Sequence, residues 1–101
     1  MALEFKVLLL PRAYKDLEDI CNYIEWHLDA AQAAATLYDE FEKGIASLSV
    51  FPERGAERKT GRFANQGYRQ LFVKNFNIIY RVDIFKRQVI IYTIRYRLSN
   101  F

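Results

Sequence analysis

The chain has one cysteine, Cys21, and one histidine, His27. A lone cysteine excludes an internal disulfide framework and suits a reducing compartment, so a cytoplasmic protein is expected. One cysteine and one histidine also fall short of the usual zinc ligand sets, and neither a metal nor an organic cofactor is expected. With four glycines and two prolines there is no Gly-rich phosphate loop and no Gly-x-Ser-x-Gly elbow. The longest apolar run, Val7 to Pro11, is far short of the roughly 20 residues that a membrane span needs. Glu4 and Lys6 interrupt the first ten residues and no small-residue cleavage site follows, so a secretory signal is not expected. No internal repeat is visible.

What the chain does have is core material and a lopsided charge. It is 51% hydrophobic and 27% charged over 101 residues, a mix that builds one small domain and argues against disorder. A single domain over 1–101 is expected. The net charge of +3 hides a division. Residues 1–50 carry four basic and nine acidic side chains, a balance of −5. Residues 51–101 carry eleven basic and three acidic, a balance of +8. Such asymmetry points to an anionic partner for the second half.

Periodicity supplies the elements. Leu3 to Leu10 reads as a strand, stopped by Pro11, which suits the first turn of a helix. Ala13, Leu17, Ile20, Ile24 and Leu28 then recur at helical spacing, which predicts a helix to about Leu28. Asp29 with Gln32 three residues on has the form of a capping box, and a second helix is expected from Ala30 to about Ser49. The short connection makes the two an antiparallel hairpin. Residues 52–67, with Pro52, Gly55, Gly61 and Gly67 among charges, read as one long loop. The period then changes to two: strands Tyr68 to Lys74, Phe76 to Asp83 and Arg87 to about Tyr96, joined by tight turns. The expected fold class is α+β, in the order β-α-α-β-β-β, with the helical hairpin on one face of a small antiparallel-rich sheet.

A two-helix hairpin covers one face of such a sheet, leaving the other to solvent or a partner. Strand parity places Arg81 opposite Phe76, Ile78 and Tyr80, hence on the face away from the helices. Arg69, Arg95 and Arg97 are candidates to join it, with Arg54, Arg58, Lys59 and Arg62 alongside in the loop. Guanidinium forks bind phosphate bidentately, and Phe72, Tyr92 and Tyr96 are suited to stack on bases, so one reading is a polyanion groove. The other is a solvated basic surface, or one paired with the protein's own acidic helices. His27 late in the first helix suits its C-terminal dipole, Cys21 suits packing, and Trp26 suits packing or an interface. Glu53 and Glu57 in the basic loop are either general bases or surface partners of Arg54 and Arg58.

Five segments stand in order along the chain. They are Leu10-Pro-Arg-Ala-Tyr-Lys-Asp-Leu17, Ile45-Ala-Ser-Leu48 with Phe51-Pro-Glu-Arg-Gly55, Tyr68-Arg69-x-Leu71, Phe76-x-Ile78-Ile79-Tyr80-Arg81-Val82, and Ile90 to Arg97. Together they resemble the RelE/ParE superfamily of toxins from bacterial type II toxin–antitoxin operons. The resemblance implies a small cytosolic toxin neutralised by a cognate antitoxin. Its RelE and YoeB branch cuts mRNA in the ribosomal A site; its ParE branch poisons DNA gyrase and is not known for nuclease activity.

For the RNA-cutting branch, the resemblance implies a metal-independent ribosome-dependent endoribonuclease, an mRNA interferase whose partners are the ribosome and mRNA. Arg69, Arg81 and Arg97 would hold the scissile phosphate, and Arg95 and Tyr96 would position RNA or move protons. Arg54, Arg58, Lys59, Arg62 and Lys74 would bind RNA backbone. The Arg95-Tyr96-Arg97-Leu98 ending is similar to the Arg-Tyr-His-Tyr ending of the YoeB branch, but Arg97 and Leu98 stand where that branch has its functional histidine and tyrosine. Tyr96 or Glu57 is left to substitute. The basic, aromatic C-terminal half makes the mRNA endonuclease the expected function, with a ParE-like gyrase inhibitor as the alternative.

Overall fold

The computed structural model describes residues 4–99 and 101. Strand β1 (Lys6–Leu9) leads into α1 (Pro11–Asn22), which continues as a single π-helical stretch, Tyr23–His27, before α2 (Ala31–Ser47). Four further strands follow: β2 (Ala56–Glu57), β3 (Tyr68–Val73), β4 (Phe76–Asp83) and β5 (Gln88–Tyr96). They form one sheet in the order β1-β5-β4-β3-β2, with β1 parallel to β5 and every other pair antiparallel. The expected α+β layout therefore holds. Two differences are the two-residue β2 inside the segment read as a loop and a β1 shorter than expected; Leu3 lies outside the described residues.

The helical hairpin departs from its sequence reading at the tip. Helix α1 starts with Pro11 in its first turn, as Pro's fixed φ favours. Beyond Asn22 the backbone widens, with Leu28 N–H bonding to Tyr23 O and Ala30 N–H to Ile24 O. The wider turn stacks His27 on Tyr23 at 5.1 Å. Asp29 does not cap α2. Its φ is +48°, the left-handed region that an aspartate tolerates and that reverses the chain sharply. The N-cap is Ala30, with no side-chain bond, so the expected Asp29–Gln32 capping box is absent. The sharp reversal takes precedence over the cap.

The apolar stripes of both helices meet one face of the sheet. Ala13, Phe41, Leu48, Ile78, Tyr80, Val89 and Ile91 are completely buried there. Gly44 lets α2 approach β3 closely: a Cβ there would lie 2.9 Å from Val73 Cγ2. The buried Tyr80 hydroxyl accepts the N–H of Gly55 at 2.9 Å and so ties the start of the long loop to the middle of β4. Burial pushes the Tyr80 phenol up, which keeps it protonated and neutral.

The opposite face is not left open, which corrects the sequence reading. Ile79, on the side away from the helices, is as fully buried as Ile78. The loop after β2 folds back over this face, with Arg58 N–H bonded to Tyr68 O and Phe63 stacked on the Tyr68 ring at 4.5 Å. A β-bulge in β5 helps. Ile79 pairs with Thr93 but Tyr80 pairs with Ile91, so Tyr92 is an extra residue, and its ring meets Tyr68 edge-on at 4.9 Å.

Where β1 ends, the rim of β5 would expose unpaired backbone. Asp16 of α1 fills that gap, accepting from the Ile94 N–H at 3.2 Å and from the Thr93 hydroxyl. Asp16→Ala leaves both donors unpaired in a half-buried setting. Hydrogen bonds to a carboxylate contribute about 1.5–3 kcal/mol, so the variant should lose about 2 kcal/mol or more in urea denaturation. An unchanged midpoint would show that the bracket is idle.

Candidate functional site

Loop 58–65 owes its shape to residues in the left-handed region. Gly61, Phe63 and Asn65 have φ of +75°, +69° and +57°, and the loop closes on itself where Asn65 N–H donates to Arg58 O at 2.9 Å. This turns the Arg58 side chain inward. It is 7% exposed, its Nε–H donating to Arg62 O and its Nη1 to Gln70 Oε1 at 2.9 Å. Gln70 Oε1 also accepts from Asn77 Nδ2 at 3.2 Å, so one amide oxygen orients both neighbours. Desolvation lowers the Arg58 pKa, yet a guanidinium stays charged at any physiological pH.

Arg95 lies opposite Asn77 in the β4–β5 ladder. Burial, followed by the nearby positive charge of Arg12, lowers its pKa, with Asp16 acting the other way. Its guanidinium stands 4.2 Å from the centroid of the Phe101 ring, and those of Arg62 and Arg58 stand 5.2 and 5.5 Å from the same ring. Arg97 covers Phe72 at 4.8 Å. Between these groups is a cavity of about 470 Å³, bordered by Arg58, Gln70, Phe72, Asn77, Arg95 and Arg97. Two buried polar atoms of its lining, Asn77 Oδ1 and Arg95 Nε, have no hydrogen-bond partner. Leaving such groups unpaired costs about 1–3 kcal/mol each.

The residues expected to share one site are scattered over both faces of the sheet. Arg58, Arg62, Arg95 and Arg97 converge on the cavity and the Phe101 ring. Arg81 is on the same face, as parity predicts, but at its other end, over the Tyr68 ring at 5.7 Å and beside Tyr92. Arg69 is on the helix side, paired with Tyr80; it donates to Gly55 O at 2.7 Å and lies 3.7 Å from the Glu53 carboxylate. Arg54 donates to Ser47 Oγ at 2.7 Å and borders, with Lys74, a separate groove between α2 and β3. Lys59 is exposed in the loop. Tyr96 reaches the cavity rim, while its ring packs edge-on against Phe76 at 5.8 Å.

The carboxylates suggested as bases are elsewhere. Glu53 serves Arg69 and Glu57 is exposed on β2 in register with Arg69. Cys21 is half-buried, and burial together with Glu25 pushes its thiol up, away from reactivity. The residues that sequence reasoning missed are Gln70, Asn77 and Phe101. Asn77 shares the strand parity of Arg81 and hence its face, but no spacing links it to Gln70 or to a residue 24 positions later.

Arg69 thus has a structural duty that can be separated from its charge. Glu53→Gln should cost under about 0.5 kcal/mol, since the pair is largely exposed. Arg69→Met should cost about 1–2 kcal/mol because the Gly55 carbonyl loses its donor. Equal effects in chemical denaturation would contradict this assignment.

Similar folds are found among the toxins of toxin–antitoxin systems, in complexes and, for E. coli RelE, as a mutant in the free state. The chromosomal ParDE system from P. aeruginosa matches with a TM-score of 0.75 at 18% identity, over 94% of this chain and 98% of that one. A RelBE complex from Mycobacterium tuberculosis matches at 0.66 and 18% identity, over 98% of each chain. E. coli RelE matches at 0.65 and 12% identity, over 94% of this chain and 85% of that one. At these identities the likeness establishes the fold. No curated protein matches the sequence at a significant level. The family model for the ParE toxin of type II toxin–antitoxin systems, parDE, matches residues 7–101, nearly the whole chain, and so the protein belongs to the ParE toxin family within the RelE/ParE superfamily.

Proposed function

We propose that this type II toxin acts by binding DNA gyrase, as a ParE-type inhibitor, and is not a nuclease. The observation that carries this reading is the chemistry of the cavity lining. Among the described residues, its side chains are three arginines, neutral amides and hydroxyls, apolar groups and the Tyr96 phenol on its rim, with no Asp, Glu, His or Lys side chain. Cutting RNA through its 2′-hydroxyl requires a group that removes that proton and another that protonates the leaving oxygen. Permanently charged guanidiniums bind a phosphate and stabilise its charge, but they do not exchange protons near neutrality. The match of residues 7–101 to the ParE model supports the same branch.

The mRNA endonuclease is the second reading, favoured by one specific feature: guanidiniums beside aromatic rings on a single face, a combination that suits single-stranded RNA. Either target implies a cognate antitoxin, since the solved relatives include complexes of toxin with antitoxin. An acidic, partly apolar segment would suit both the basic second half and the exposed Tyr14, Tyr23, Trp26 and Tyr38 of the helical hairpin.

Two assays on the purified toxin separate the targets. Gyrase with supercoiled DNA should accumulate protein-linked double-strand breaks on addition of toxin, and primer extension in a translating extract should show intact mRNA. Codon-spaced mRNA cuts that disappear in Arg95→Ala, with gyrase unaffected, would replace the inhibitor by the endonuclease.

A further inference from the structure

The turn between β4 and β5 breaks the usual pattern of turns. Exposed turns are built mostly from glycine and polar residues, because an apolar side chain there gains nothing from burial. Residues 84–87 are Ile-Phe-Lys-Arg. Phe85 is 101% exposed, so its ring packs against nothing in its own chain, and Ile84 is 62% exposed. The turn is nevertheless firmly held. The Asp83 carboxylate accepts the Lys86 N–H at 3.1 Å, and Ile84 O accepts the Arg87 N–H at 3.3 Å. The Arg87 guanidinium in turn lies 5.8 Å from the centroid of the Phe5 ring. Beside the turn is a groove of about 420 Å³, bordered by Arg81, Asp83, Ile84, Phe85, Ile90 and Tyr92. It shares no residue with the cavity that Arg95 borders.

We propose that this turn is a self-association element, with Phe85 of each copy entering the groove of a second copy in a two-fold symmetric pair. The occupant follows from what the patch contains. A two-fold interface must be its own complement, so a knob needs its hole close by on the same surface. Here a free phenyl ring stands next to a groove that includes Ile90 and the half-buried Tyr92. The charges repeat the pattern. Arg81 and Asp83 share one strand parity and both border the groove, so a two-fold axis beside the turn sets each Arg81 against the partner's Asp83. A partner of uniform charge would meet one of these two as a like charge, whereas a second copy satisfies both. Lys86 and Arg87 do not border the groove and add no like charge to the contact. Because the turn is already held, little freedom is lost when it docks.

The inference is independent of the toxin's target, because it is tested on the purified chain. Sedimentation velocity over a concentration series should show a reversible monomer–dimer equilibrium. Phe85→Ser, which removes no packing within the chain, should weaken the dimer about tenfold or more, as loss of a central anchor does. Trp26→Ser, on the helical hairpin, should leave it unchanged. In a Cys21→Ser background, chains carrying Phe85→Cys and chains carrying Ile90→Cys should cross-link to each other on mild oxidation faster than either does to itself. A chain that stays monomeric at every concentration would overturn the proposal, and weaker binding of antitoxin or gyrase by Phe85→Ser would then assign the turn to that protein. A dimer lost in Trp26→Ser but kept in Phe85→Ser would overturn the turn as its site. Phe85→Cys linking only to itself would overturn the knob-and-groove geometry.

Discussion

Two helices of 12 and 17 residues have enough apolar stripe to bury one face of a five-stranded sheet, and the second face must be closed by other means. On the helix side the solution is ordinary packing, with Phe41, Leu48, Ile78, Tyr80 and Ile91 removed from water. On the other side Ile79 is equally dry, but its cover is a loop and a tail rich in arginine. Guanidiniums lying on aromatic rings can shield apolar surface while remaining charged. The same groups that complete the core therefore create a positively charged cavity.

Several arginines are held by partners of their own, on both faces of the sheet. Arg58 is bonded to the loop carbonyl of Arg62 and to Gln70, Arg69 holds the Gly55 carbonyl, and Arg54 reaches Ser47. A basic surface of this kind is anchored rather than mobile. Less side-chain entropy is then lost when an anion binds, which favours recognition. Among the described residues the lining has no histidine, lysine or acidic side chain.

Asp16 and Tyr80 show how the sheet rim and the loop are held. One carboxylate takes over two donors where β1 ends, and one buried phenol anchors the loop leading to β2. Both are single residues bridging elements far apart in sequence. In the sequence Asp16 stood out only as part of the Leu10–Leu17 segment, and Tyr80 only as one more apolar position in an alternating strand. Their partners, Ile94, Thr93 and Gly55, become neighbours only once α1 packs beside β5 and the loop before β2 closes on β4.

The sequence by itself determined the order of every element but β2, the helical hairpin, the meander β3–β4–β5 and the side on which Arg81 stands, because apolar period and strand parity are local properties. It also determined the charge division, with acidic helices and basic strands and loop. Tertiary structure alone decided the parallel pairing of β1 with β5, the left-handed Asp29 in place of a cap, and the bulge at Tyr92. It also decided which arginines meet. Arg58, Arg62, Arg95 and Phe101 are spread over 44 positions of chain and come together only because the loop and the tail fold over the same face. Parity fixes which way a strand residue points, but it carries no information about what a loop brings to meet it.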